Sequence, residues 1–282
     1  MGVSMSDLVA VTGATGSVGG RVVACLESLG VPLRLVVRDL QRVPAGSSAE
    51  RRQASSYGAF DEMRGALAGA RTLFLIPAAE SADRVQQHRT AIDAALSAGV
   101  ERIVYLSFLG AAEDATFTLA RDHWHTEQHV RATGRPWTFL RMNLYMDIIP
   151  ALASPEGVIR GPAGNGLVSA IPRDDVAAAC SAVLASKGHD GQTYDLTGRE
   201  SFSLVEAAAI MSSLGKPVRF EDETDAAAWE SRRVYDAPDF EVRGWISSYQ
   251  AIRDGSLQQI SPHVRELTGR EPATLSEYLN RG

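Results

Sequence analysis

Val9-Ala10-Val11-Thr12-Gly13-Ala14-Thr15-Gly16-Ser17-Val18-Gly19-Gly20-Arg21-Val22-Val23 is the stretch that decides the fold of this chain. An apolar run ends in a glycine-rich turn, and the turn opens a helix. Gly13, Gly16 and Gly19 have Gly-x-x-Gly-x-x-Gly spacing, which differs from the Gly-x-Gly-x-x-Gly of many dehydrogenases but obeys the same physics. A tight turn needs residues without a Cβ, and a bare backbone lets a pyrophosphate come close. The helix start then offers free N–H groups and a positive dipole end to the phosphates. With a strand before it and a helix after it, the segment reads as a nucleotide-binding turn rather than a plain structural turn.

Strand and helix signals alternate outward from that turn. Strands are expected at residues 8–11, 33–37, 49–53, 72–76, 102–107 and 137–140, and helices at 18–29, 60–67, 81–98 and 120–132. Strands separated by single helices imply an α/β fold: a doubly wound parallel sheet of the Rossmann type, with helices on both faces. After Pro150 the pattern becomes mixed, and glycines at 157, 161, 164 and 166 crowd one loop region. A helix over 174–184, a strand over 193–196 and a helix opened by Ser203 follow, with Glu206 completing a capping box. Beyond residue 224, amphipathic helical pieces are broken by Pro238, Pro262 and Pro272. The expected division is a nucleotide-binding domain over residues 6–150 that also receives about 168–197. A smaller, mainly helical part takes 151–167 and 198–282.

Composition narrows the function classes. The chain has 282 residues, 45% of them hydrophobic, with a formal net charge of -6. It can bury a sizeable core, and with no basic run it argues against a nucleic-acid partner. No apolar stretch is long enough to span a membrane. The start, Met1-Gly2-Val3-Ser4-Met5-Ser6, is not a secretory signal; it matches a myristoylation pattern at Gly2 and Ser6, against the alternative that Met5 is the natural start. Cys25 and Cys180 form no spacing motif and read as two buried thiols of a cytoplasmic protein.

The end of the second strand discriminates between dinucleotides. Leu35-Val36-Val37-Arg38-Asp39-Leu40-Gln41-Arg42 places Arg38 directly after the apolar run and Arg42 within reach of the same group. A guanidinium fork suits a ribose 2′-phosphate, whereas Asp39 is the competing reading for a free 2′-hydroxyl. The arginines favour NADP(H) over NAD(H).

Taken with Trp137-Thr138-Phe139-Leu140-Arg141-Met142-Asn143-Leu144-Tyr145 and Arg173-Asp174-Asp175-Val176-Ala177, these segments make the chain resemble the NmrA-like, atypical branch of the short-chain dehydrogenase/reductase superfamily. The likeness is to its quinone- and triphenylmethane-reducing members. The resemblance covers nearly the whole chain. It implies NADP(H) binding by Gly13, Thr15, Gly16, Ser17, Val18, Gly19 and Arg38, and a nicotinamide pocket near Ile76, Pro77, Ser107, His123 and Asn143. The Tyr-x-x-x-Lys proton relay of ordinary short-chain dehydrogenases is missing, and the only lysines are Lys187 and Lys216. Aligning on Thr126-Glu127 puts His123 at the lysine position and Leu119 at the tyrosine position.

The remaining candidates carry two readings each. His123 is a hydrogen-bond or proton donor to ribose or substrate, or a satisfied structural histidine. Tyr145 is the second candidate catalytic group. Tyr145, Phe108 and Trp124 suit a flat acceptor, or are core aromatics. His125 and His129 lie one helical turn apart, but no third ligand cluster is visible and no metal is expected. Asp174 and Asp175 look like a carboxylate pair; Asp174 is expected to cap a helix. The implied activity is NADPH-dependent hydride transfer to a flat, conjugated, electron-poor small molecule, quinone-like or aromatic, by a monomer or homodimer. The rival is an NADP(H)-binding redox sensor without turnover.

Overall fold

The computed structural model describes residues 7–215 and 217–281. The myristoylation pattern at Gly2 and Ser6, the expected domain start at residue 6, and Lys216 lie outside the described residues. The chain divides into two compact units. The first takes residues up to Ser107, Asp122–Arg141 and Val176–Tyr194; the second takes Phe108–Arg121, Met142–Asp175 and the chain from Asp195 onward.

The first unit is built on β1 (Val9–Thr12), α1 (Ser17–Ser28), β2 (Leu33–Val37), β3 (Glu50–Gln53), α2 (Phe60–Leu67), β4 (Thr72–Leu75) and α3 (Arg84–Ser97). It shares β5 (Arg102–Phe108), α4 (Thr118–Ala132) and β6 (Trp137–Met142) with the second unit at their ends. The strands order as β3-β2-β1-β4-β5-β6-β9, where β9 is Gln192–Leu196. β1 pairs in parallel with both β2 and β4, and β4 with β5. This is the doubly wound arrangement expected from the alternating signals. The chain steps outward in one direction from β1 and in the other from β4, so the switch point lies between them. Ligands in such sheets bind beyond the strand C-termini at that point.

Apolar content explains the layers. β1, β2 and the inner part of β4 are buried along their length, as central parallel strands must be. The core of this unit joins Met63, Ala66 and Leu67 of α2 to Ala91, Ile92 and Ala95 of α3, Val130 of α4 and the strand residues Leu73, Ile103, Tyr105 and Phe139. α1 buries Val18, Val22, Val23 and Leu26 at helical spacing.

The second unit contains α5 (Ile148–Ala151), β7 (Val158–Gly161), β8 (Leu167–Val168), β10 (Phe202–Ser203), α7 (Leu204–Ser213) and β11 (Arg219–Asp222). It continues with α8 (Asp225–Arg232), α9 (Asp239–Arg253), α10 (His263–Thr268) and α11 (Leu275–Leu279). α6 (Arg173–Ala185) and β9 again divide between the units. The part expected to be mainly helical also holds two small sheets, β8 with β10 antiparallel and β7 with β11 parallel. These strands are two to four residues long, too short for an alternating pattern to show in sequence. Ser203 and Glu206 do form the reciprocal capping box.

Four local expectations need correction. β6 runs two residues past Leu140, which puts Arg141 on the strand. α3 starts at Arg84 rather than residue 81, because residues 82 and 83 form a turn in which the Arg84 N–H donates to the Ser81 carbonyl at 3.2 Å. Asp174 sits inside the first turn of α6 rather than at the position before the helix. Of the two thiols, Cys180 is buried but Cys25 is only half-buried. Among the described residues no helix is long and apolar enough to cross a membrane.

Candidate functional site

Where β1 ends, its last side chain starts the site. Thr12 Oγ1 donates to the Phe74 carbonyl at 3.3 Å and accepts the Ile76 N–H at 3.1 Å, so the exits of β1 and β4 are stitched together at the switch point. Gly13 then takes a left-handed conformation, φ +61°, and its carbonyl accepts the Gly16 N–H at 2.9 Å. A Cβ on Gly19 would stand 2.1 Å from the Gly13 carbonyl oxygen, so the turn can close only on glycine there. A Cβ on Gly16 would meet the same oxygen at 3.1 Å, a milder crowding; at this exposed position the bare backbone leaves room for a ligand.

Gly16 is the N-cap of α1, and no side chain caps the helix. No acid occupies the first turn either. A Ser, Thr or Asp oxygen is the favoured partner for these first N–H groups; without one, and without an acid, the start of α1 stays open to an anion. Thr15 is half-buried, Gly16 and Ser17 are exposed, and Val18 and Gly19 turn inward. A bare, positively polarised helix start inside a glycine cradle fits a dinucleotide pyrophosphate.

At the end of β2, Arg38 is exposed and its carbonyl accepts from Gln53 Nε2 at 2.9 Å. Asp39 is occupied locally: its carboxylate accepts the Gln41 N–H at 2.9 Å and caps the short helical turn Leu40–Arg42. Arg42, at the end of that turn, is exposed. Ile76 and Pro77, just past β4, are half-buried, and Ile76 would be 3.2 Å from a Cβ on Gly13. Tyr57, which no sequence motif singles out, donates its hydroxyl to the Ile76 carbonyl at 2.8 Å. Burial pushes its phenol up to about 12.

A second set of polar groups lies buried where β5, α3, α4 and β6 meet. Ser107 Oγ donates to Glu127 Oε1 at 2.6 Å, and Arg141 holds Glu127 with both Nε at 2.8 Å and Nη2 at 2.6 Å. The Glu127 side chain is fully buried. His123 is 3% exposed, and its Nδ1 is 2.9 Å from the Tyr105 hydroxyl. Burial holds the His123 ring well below the usual imidazole range, with the Arg84, His88 and Arg141 side chains adding to the effect. The ring is therefore neutral near pH 7. It can take part in hydrogen bonds, but it is not a stored imidazolium acid. Ala120, His123, Thr126, Glu127 and Val130 form the buried stripe of α4, and a carboxylate on such a stripe demands a cation from elsewhere.

Asn143, Phe108 and Tyr145 fall in the second unit, and Trp124 in the first. The Asn143 amide is fully engaged: Nδ2 reaches Ser169 Oγ at 2.8 Å, the Leu257 carbonyl at 2.9 Å and the Ser169 carbonyl at 3.1 Å, and Oδ1 accepts the Leu144 N–H. Such an amide has no N–H left for a ligand. Phe108 is a core residue, 3% exposed and packed on Phe117. Tyr145 is half-buried, with the Arg173 guanidinium 4.0 Å over its ring; Arg173 also pairs with Asp147. Trp124 is half-buried and lies edge-on to His125. His129 is held by Asp93 at 2.8 Å. Among the described residues no three His, Cys, Asp or Glu side chains group as a metal site.

A profile of the NAD(P)H-binding family matches residues 13–187, from the first glycine of the turn to the end of the α6 region. The (4-alkanoyl-5-oxo-2,5-dihydrofuran-3-yl)methyl phosphate reductase of Streptomyces griseus is 34% identical, with 93% of each chain covered. The solved NADPH complex of an Escherichia coli NADPH-dependent quinone oxidoreductase superposes with a TM-score of 0.90 at 32% identity, covering 97% of this chain and 99% of that one. The Citrobacter sp. triphenylmethane reductase complexed with NADP(H) gives 0.87 at 29% identity, covering 97% and 99%. The fold and the site thus define an NAD(P)H-dependent oxidoreductase. The chain belongs to the NAD(P)H-binding family.

Proposed function

We propose that this oxidoreductase uses NADPH to reduce a flat, conjugated, electron-poor small molecule such as a quinone or an unsaturated ketone or lactone. The observation that carries this reading is the neutral, buried His123 standing where a tyrosine–lysine relay would need its lysine. A ketone reductase needs a positioned acid to protonate the developing alkoxide. An electron-poor conjugated acceptor spreads the incoming charge and can be protonated from water afterwards. The relatives' named acceptors fit that class: a quinone, triphenylmethane dyes and an alkanoyl dihydrofuranone phosphate.

Bound NADPH would supply the hydride. The chain's own part is to bind and orient. The uncapped start of α1 and the backbone of Gly13, Thr15, Gly16, Ser17, Val18 and Gly19 receive the pyrophosphate. Arg38, with Arg42 near, takes the 2′-phosphate, and the diversion of Asp39 onto Gln41 removes the carboxylate that would favour NAD(H). Ile76, Pro77, Ser107 and His123 border the nicotinamide half. Ser107, already donating to Glu127, offers lone pairs to a hydroxyl or amide donor. Tyr145 and Trp124 are candidate acceptor contacts, while Phe108 and Asn143 act through packing. Orientation alone can supply several kcal/mol of barrier lowering, of order 7–11 in well-aligned systems.

NADPH consumption across quinones, triphenylmethane dyes and unsaturated lactones, with simple ketones as controls, tests the reading. Turnover of the conjugated acceptors and not of the ketones is the expected result. If no acceptor oxidises bound NADPH, and a partner protein is retained according to the cofactor's redox state, the sensor reading replaces this one.

A further inference from the structure

The backbone just past β4 is gripped by side chains in an unusually complete way. β4 ends at Leu75, so Ile76, Pro77 and Ala78 have left the strand. The Ile76 N–H donates to Thr12 Oγ1 at 3.1 Å, and the Tyr57 hydroxyl donates to the Ile76 carbonyl at 2.8 Å. The Ala78 N–H donates to His88 Nε2 at 2.9 Å, and Arg84 Nε donates to the Ala78 carbonyl at 3.1 Å. Pro77 has no N–H to satisfy. Both polar groups of each flanking peptide are therefore held by side chains from β1, the segment after β3, and α3. Loop backbone at a surface normally bonds to water instead.

We infer that Tyr57, Arg84 and His88 are positioning residues that pre-form the Ile76-Pro77-Ala78 turn against the nicotinamide half of the cofactor. The inference rests on the cofactor reading above.

Three features support it. First, the grip is costly. His88 is fully buried and Arg84 is 7% exposed, and Arg84 Nη1 has no hydrogen-bond partner; its closest ion-pair contact, Asp122, is 3.6 Å away. A buried guanidinium so poorly matched needs a reason beyond packing. Second, the His88 tautomer is fixed. A ring nitrogen that accepts a peptide N–H carries no proton, so the ring proton sits on Nδ1 and is donated to Thr126 Oγ1 at 2.9 Å. The same ring thereby ties the turn to α4, the helix that bears His123. Third, the turn borders the phosphate cradle directly: a Cβ on Gly13 would lie 3.2 Å from Ile76 Cβ and 3.7 Å from the Tyr57 hydroxyl. The turn therefore begins at the edge of the glycine loop and continues away from it through Pro77 and Ala78.

The test compares two ligands, NADPH and 2′-phospho-ADP-ribose, which keeps the phosphates and lacks the nicotinamide. His88→Leu leaves the Ala78 N–H unpaired and should weaken NADPH by about tenfold or more while changing 2′-phospho-ADP-ribose by less than about twofold. His88→Gln, whose amide oxygen can accept from Ala78 and whose nitrogen can donate to Thr126, should restore NADPH affinity to within about threefold of wild type. Tyr57→Phe removes one hydroxyl and should show the same selectivity at about three- to fivefold; it carries the test alone if His88→Leu does not fold. Equal weakening of both ligands, or unchanged NADPH affinity in these variants, overturns the inference. A wild-type chain that binds neither ligand overturns the cofactor reading itself.

Discussion

The glycine turn at residues 13–19 and the polar cluster around Tyr105, His123 and Glu127 lie in the same unit, yet they are assembled in opposite ways. The turn is contiguous in sequence, works through backbone N–H groups and carries no charge of its own. Its requirement is the absence of side chains, since a Cβ at Gly19 would sit 2.1 Å from a carbonyl oxygen. The cluster draws on β5, α3, α4 and β6, works through buried side chains and is stable only while each polar atom has its partner. Damage to the turn should therefore strike cofactor binding first, and damage to the cluster should strike folding first.

The largest expected loss of affinity is at the turn. Gly19→Val drives a branched side chain into the Gly13 carbonyl, and neither backbone can yield without opening the turn. NADPH affinity should fall by on the order of 100-fold or more, while the urea midpoint moves much less than the affinity. A variant that binds NADPH within tenfold of wild type would mean the cradle is not where the pyrophosphate sits.

Next comes the cluster. Arg141→Met strands the fully buried Glu127 carboxylate with Ser107 as its remaining named partner. Losing one half of a buried pair costs about 3–5 kcal/mol of stability. The double variant Arg141→Met, Glu127→Leu should regain most of it, because no charge is then left unpaired. Urea unfolding of the single and double variants measures this, and strictly additive losses would show that the two side chains are not a unit.

Arg38→Ala should act on affinity alone. Removal of a charge-assisted phosphate contact should weaken NADPH by about 2–3 kcal/mol and leave NADH nearly unchanged. Titrating both cofactors decides the matter; parallel weakening removes the 2′-phosphate assignment.

The smallest effect is a slope. Burial, aided by the nearby Arg84 guanidinium, pushes the His88 ring down to about 3, from 6.5 in an exposed imidazole. The unfolded chain then takes up a proton that the folded chain refuses. Stability from this group is complete above about pH 6.5 and is lost as pH falls toward 3, by at most about 1.4 kcal/mol per pH unit. His123 shifts in the same direction. Urea midpoints at pH 7 and pH 5 should differ less in His88→Gln than in wild type, and an unchanged difference would mean that His88 does not titrate on unfolding.

How much could be read beforehand follows from the same contrast. The glycine turn, the buried strands, the capping box at Ser203 and Glu206 and the placement of Arg38 after β2 all depend on neighbours a few residues apart. Tyr57 is silent in the sequence because its partner, Ile76, is nineteen positions away. The partners of the Asn143 amide, Ser169 and Leu257, come from distant segments and are equally silent in the sequence. The extension of β6 to Met142 was equally invisible, since pairing within the sheet sets it and not the apolar run that ends at Leu140.

The sequence by itself determined the doubly wound sheet, the glycine-rich turn and the missing Tyr-x-x-x-Lys relay. Hydrophobic periodicity, glycine stereochemistry and residue spacing are short-range properties written along the chain. Only the tertiary structure decided that Asp39 caps its own turn, that His123 is buried and neutral, that Glu127 is locked between Ser107 and Arg141, and that four side chains hold the turn after β4. Those outcomes depend on desolvation and on hydrogen bonds between groups tens of residues apart, and such terms exist only once the chain has folded around them.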